Sequence, residues 1–93
     1  MNLNQTVVLS PEVISQEVSG ETVLLDLDSE NYFGLDEVGT RIWQLLQETG
    51  QLQAVYDTLL AEYAVAPEQL LQDLEKLLSE IQAAGLIRLT EPE

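Results

Sequence analysis

The sequence contains no cysteine and no histidine, and only three of its 93 residues are basic. Without cysteine there are no disulfides, thiolate metal sites or cysteine nucleophiles, and without histidine the commonest general base and metal ligand is also missing. Catalysis would fall to carboxylates and hydroxyls alone. The three cations are Arg41, Lys76 and Arg88, against 17 acidic residues, for a formal net charge of -14. Such a field repels phosphate backbones, whose binding depends on Lys and Arg releasing counterions. DNA, RNA and anionic lipid are therefore poor partners. Long apolar runs are absent too: Val23-Leu24-Leu25 falls far short of the roughly 18 residues of a membrane span. Residues 1–6 lack both the basic flank and the apolar stretch of a secretory signal. The expectation is a soluble cytoplasmic protein with no membrane partner.

What is present suits one small domain. At 93 residues and 45% apolar composition there is material for a single core, and the expected domain is 1–93 with an ordered core of about 12–89. Residues 13–18 read as a strand, broken by Ser19-Gly20 and resumed over 21–27, a hairpin pattern. In the second strand Val23, Leu25 and Leu27 share one face while Leu24 and Asp26 share the other, and one of these faces is core. Asp28-Ser29-Glu30-Asn31 carries turn chemistry. A short third strand, Tyr32-Phe33-Gly34-Leu35, follows and stands at the sheet edge of a meander with unpaired backbone groups.

After Leu35 the hydrophobic period changes from 2 to about 3.6. Asp36 is a good N-cap for a first helix with the stripe Val38, Ile42, Leu45 and Leu46, Trp43 beside it and Gly50 as its stop. Leu52, Val55, Tyr56, Leu59, Leu60 and Tyr63 mark a second helix, and Pro67 opens a third. The third is the most apolar, with Leu70, Leu71, Leu74, Leu77, Leu78 and Ile81, and Gly85 stops it; residues 86–89 form a short extended or collapsed tail. The predicted class is α+β: an N-terminal three-stranded antiparallel sheet followed by three helices, in a winged helix-turn-helix-like arrangement.

The plainer readings of the notable residues come from packing. Phe33, Leu35, Ile42 and Trp43 at these periods are core residues. Gly34 either avoids a clash within the sheet or lets another backbone approach closely. Gly39 weakens its helix by about 0.8–1 kcal/mol relative to Ala, a cost that close packing of helix on sheet explains. Asp26, Asp28 and Glu30 lack the Gly and distal Glu of a calcium loop, and Asp36 with Glu37 is accounted for by capping and the helix dipole. No catalytic residue, cofactor site or metal site is assigned.

The run Leu24-Leu25-Asp26-Leu27-Asp28-Ser29-Glu30-Asn31-Tyr32-Phe33-Gly34-Leu35-Asp36-Glu37-Val38-Gly39-Thr40-Arg41-Ile42-Trp43-Gln44-Leu45-Leu46 resembles the signature of the PqqD-like family of peptide chaperones, also described as precursor-peptide (RiPP) recognition elements. The resemblance extends more loosely through Leu59-Leu60-Ala61-Glu62-Tyr63, Pro67 and Ala83-Ala84-Gly85-Leu86. It implies a non-catalytic subunit that binds the leader of a ribosomally made precursor as an added strand, between the third strand and the third helix. The implied partner beyond the leader is a processing enzyme, a leader peptidase or a radical enzyme. Carried onto this sequence, the peptide-binding residues are Tyr32, Phe33, Gly34 and Leu35 with Leu71, Leu74 and Leu78, leaving Leu70, Leu77 and Ile81 to the core. The Tyr-Phe-Gly-Leu strand and the Val-Gly and Ile-Trp spacing are similar to lasso-peptide members more than to those serving quinone cofactor synthesis. Asp36 stands where the family commonly has Asn, and either residue caps a helix.

Strand addition has a physical basis apart from the resemblance. Main-chain hydrogen bonds along a free edge supply affinity, and pockets for alternate side chains supply selectivity. Two other classes are open: an acidic docking or regulatory domain that recruits a basic protein, and a winged-helix DNA binder. The third helix argues against the latter, since Gln69, Gln72, Asp73, Glu75, Lys76, Glu80 and Gln82 offer one cation against three acids. A free edge also permits a strand-paired dimer.

Overall fold

In the computed structural model, which describes residues 2–90, the chain runs β1 (Thr6–Leu9), β2 (Val13–Val18), β3 (Glu21–Asp26), β4 (Tyr32–Leu35), α1 (Glu37–Glu48), α2 (Leu52–Glu62), α3 (Pro67–Ala83) and β5 (Ile87–Thr90). Ser19 and Gly20 both take positive φ, 54° and 83°. This is the geometry of a two-residue hairpin turn whose twist matches the flanking strands. It pairs Val18 with Glu21 and carries the register on to Val13 opposite Asp26.

The second turn is built around one carboxylate. Asp26 Oδ1 accepts the Asp28 N–H at 3.1 Å and Oδ2 accepts the Ser29 hydroxyl at 2.9 Å. The Glu30 N–H donates to the Asp26 carbonyl and the Asp26 N–H to the Asn31 carbonyl, both at 2.8 Å. Glu30, rather than Asn31, takes the positive φ of this turn, at 62°. Asp26 is buried, so these bonds offset its desolvation. The result is the expected three-stranded antiparallel meander, in the order β2-β3-β4.

The face of β3 that enters the core is the one carrying Thr22, Leu24 and Asp26. It is the less apolar of the two. Leu24 is fully buried, with Leu35 of β4 beside it in the core, and Phe33 packs against it from the edge. Val23 on the other face is half-exposed, as is Leu27 just beyond the strand.

The helices close over this inner face. Asp36 accepts the Gly39 N–H through Oδ1 at 2.8 Å and so caps α1. A Cβ at Gly39 would lie 3.2 Å from the Leu35 Cβ, which is the close helix-to-sheet packing expected at that glycine. Ile42, Trp43, Leu45 and Leu46 of α1, Leu52, Val55 and Leu59 of α2, and Leu70, Leu74, Leu78 and Ile81 of α3 make one core. Arg41 ties α1 to α2 with a forked pair to Glu62, Nε to Oε1 at 2.8 Å and Nη2 to Oε2 at 2.7 Å. That hydrogen bond holds the Glu62 carboxyl below the usual glutamate range.

The two chain ends depart from expectation. Residues 6–9, ahead of the expected core, belong to the fold: β1 pairs antiparallel with β5, with Val7 opposite Leu89 and Leu9 opposite Ile87. The segment read as a tail is therefore a strand. The Val7 N–H also donates to the Gly50 carbonyl at 2.7 Å. A Cβ at Gly50 would stand 2.8 Å from the Val7 carbonyl oxygen, so the glycine that ends α1 also admits β1. Buried Val7 and Ile87 seal the core at this end.

Candidate functional site

The meander has two edges, β2 and β4, each with β3 as its only strand neighbour among the described residues, and the edge followed directly by α1 is β4. The register settles which of its peptide groups are free. In a two-residue hairpin the closing pair, Val18 with Glu21, exchanges both backbone hydrogen bonds. Alternation then turns the peptide groups of Val23 and Leu25 toward β2 and those of Thr22, Leu24 and Asp26 toward β4. The Asp26 to Asn31 bond agrees with this. Since Leu24 faces Phe33 and Thr22 faces Leu35, Phe33 and Leu35 spend their peptide groups on β3. Tyr32 and Gly34 direct theirs outward.

The side chains alternate in the same way. Leu35 is buried and Phe33 half-buried against the core, whereas Tyr32 is 78% exposed. A Cβ placed on Gly34 would meet nothing within 4 Å. Relief of a clash inside the sheet is thus not the reason for this glycine, and the space above it is open.

Immediately after β4 the first turn of α1 and the middle of α3 enclose a cleft of about 400 Å³. It is lined by Asp36, Val38, Gly39 and Ile42 on one side and Asp73, Lys76, Leu77 and Glu80 on the other. Its floor is apolar and its mouth charged, with three carboxylates to one ammonium. Asp36 accepts the Gly39 N–H and Asp73 Oδ1 accepts the Gln69 side-chain N–H at 2.9 Å; neither bond cancels a carboxylate charge, so with Glu80 the mouth is net negative.

The expected division of α3 is corrected here. Leu74 and Leu78, assigned to the groove, are 0% and 2% exposed and lie in the core with Leu70 and Ile81. Leu77, assigned to the core, is half-buried and lines the cleft. At about 100° per residue, positions 70, 74, 78 and 81 fall within one arc of the helix, with 71 and 77 on its opposite flanks. Residues 73, 76 and 80 extend the Leu77 flank. Leu71 is half-buried on the other flank and is not among the residues lining the cleft. Sequence reasoning thus missed Asp73, Lys76 and Glu80 as lining residues, which follow the three- and four-residue helical spacing and could have been found by centring the stripe before dividing it.

The comparisons agree with this architecture. The family model described as "Coenzyme PQQ synthesis protein D (PqqD)" matches residues 21–87, and the chain belongs to that family. Among solved structures, one described as TbiB1 in complex with the TbiA(beta) leader peptide is 38% identical, with a TM-score of 0.81 over 86% of this chain and 93% of that one. A second, a lasso peptide synthetase B1 complexed with the leader peptide, is 25% identical, with a TM-score of 0.79 over 89% of this chain and 98% of the other. A search of curated protein sequences finds no significant match.

Proposed function

We propose that this protein is the leader-recognition subunit of a lasso peptide pathway: it takes up the leader of a ribosomally made precursor as a fourth strand on β4 and presents the precursor to a separate leader peptidase. The observation that carries this reading is the outward-facing pair of peptide groups at Tyr32 and Gly34, set beside an apolar-floored cleft. Both solved relatives are described as bound to leader peptides, and the description of the second as a lasso peptide synthetase B1 favours that pathway over quinone cofactor synthesis, which the family description names.

The energetics assign the two parts different tasks. Two residues offer at most four edge bonds, about 0.5–1.5 kcal/mol each, while ordering a flexible leader costs about 2–5 kcal/mol. The edge fixes register and the cleft supplies the surplus, since one buried Leu-sized side chain contributes about 1.5–3 kcal/mol. Asp73 and Glu80 at the mouth favour a leader with Lys or Arg next to its apolar anchor. The chain's role is to bind and to raise the local concentration of precursor at the enzyme, with no reaction of its own, in the cytoplasm where the precursor is made. A charge of -14 on each chain opposes edge-to-edge pairing of two copies, so the binding form is the monomer. We also read α2, α3 and the β1–β5 ribbon as a winged helix-turn-helix arrangement.

The test is anisotropy of a labelled leader, taken from the precursor encoded beside this protein, titrated with wild type and Gly34→Pro. Proline at 34 removes an outward N–H and leaves the β3–β4 ladder intact, so circular dichroism should show a folded variant. Wild type should bind at about micromolar or tighter and the variant at least tenfold more weakly. Equal binding by the two would refute strand addition at β4.

A further inference from the structure

The exposed face of an antiparallel sheet is ordinarily polar. Here the face turned away from the helices is the more apolar one. The register aligns Ile14, Leu25 and Tyr32 in a row across all three strands and sets Val23 beside Gly34. Ile14 is 50% exposed, Val23 48% and Val18 60%. Val18, Glu21, Val23 and Gly34 border a shallow concavity on this face, open above Gly34. An apolar patch of this kind marks an interaction site more often than chance exposure.

We propose that this outer sheet face docks the processing enzyme, through a patch on that enzyme which is apolar at its centre and bordered by Lys and Arg. The inference rests on the leader-binding reading above and adds a second surface to it. Charge selects the occupant. No cation occurs before Arg41, so the sheet carries none, and exposed acids stand at both ends of it: Glu12, Asp28 and Glu30 at one end, Glu21 and Glu37 at the other. A second copy would bring the same acidic border against itself, whereas a basic rim would complement it.

The position of the face also links the two binding events. A leader added to β4 continues the sheet, and its alternate side chains project from the outer face next to Tyr32 and above Gly34. The enzyme then meets a surface made partly of this chain and partly of its own substrate. Each partner tightens the other by the same factor, as linkage requires. The leader-loaded subunit is thereby preferred over the empty one.

Ile14→Lys and Val18→Lys place a cation in the patch at exposed positions on β2, the strand of the sheet farthest from the leader. Leader binding alone, by anisotropy, should stay within twofold of wild type. Binding of the purified processing enzyme encoded beside this protein, followed by calorimetry with leader present, should weaken at least tenfold in either variant. In wild type it should weaken as salt rises from 0.1 to 0.5 M, about the range over which surface charges become screened. Enzyme binding unchanged in both variants overturns the docking surface while leaving leader recognition intact. A wild-type dimer in sedimentation that Ile14→Lys makes monomeric overturns it in favour of a second copy. A wild type that binds no leader overturns the functional reading itself, and the inference with it.

Discussion

Single side chains in this protein settle questions that composition leaves open. Asp26 lies in an acidic stretch, and its two oxygens are committed to the Asp28 N–H and the Ser29 hydroxyl. It therefore sets the turn that delivers β4 to the sheet edge. Asp26→Ala should remove two charge-assisted bonds from a buried site and cost about 1–3 kcal/mol. Urea titration should show a lower midpoint with an unchanged slope; a midpoint equal to wild type would mean that the turn forms without the carboxylate. Gly34 and Gly39 contrast in the same way. A Cβ at Gly39 would press on Leu35, whereas one at Gly34 would meet open space, so the first glycine serves the packing of helix on sheet and the second leaves the face above β4 open.

At the level of elements, the meander and three helices were legible because each boundary carries a local signal. The hairpin has Ser19-Gly20, α1 has its Asp36 cap and α3 opens at Pro67. The β1–β5 pair was not legible, since its partners lie at opposite ends of the chain and Thr6–Leu9 alone bears no period that distinguishes a strand from a tail. The core face of β3 was ambiguous for a physical reason: the face richer in apolar residues is the exposed one, and the buried face includes Asp26, whose burial only its turn bonds explain. The edge position of β4 was legible, because a short strand follows a turn, and the burial of α3 was misdivided, because six apolar positions wrap more than one face. Leu74→Ala should therefore cost about 2–5 kcal/mol of stability as a core truncation. Leu77→Ala should cost about 1 kcal/mol or less and instead lower leader affinity, by roughly tenfold for about 1.4 kcal/mol of lost burial. Thermal melts beside leader titrations check both, and a Leu77→Ala protein that binds leader normally would remove the cleft from the account.

For the whole molecule, the distribution of charge and of free backbone matters more than any one contact. A chain at -14 with its three cations confined to the part from Arg41 onward discourages nucleic acid and self-association and leaves the sheet as the place where a basic, partly apolar partner is welcome. On the proposed reading, one small sheet offers an edge to the leader and a face to the enzyme. The central claim is the identity of the edge groups, and amide hydrogen exchange followed by NMR reads them directly. In the free protein Phe33 and Leu35 amides should exchange slowly, being bonded to β3, while Tyr32 and Gly34 exchange fast. On saturation with leader, Tyr32 and Gly34 should become protected and Phe33 and Leu35 should change little. Tyr32 and Gly34 amides that stay fast in a leader-saturated sample would contradict strand addition on β4.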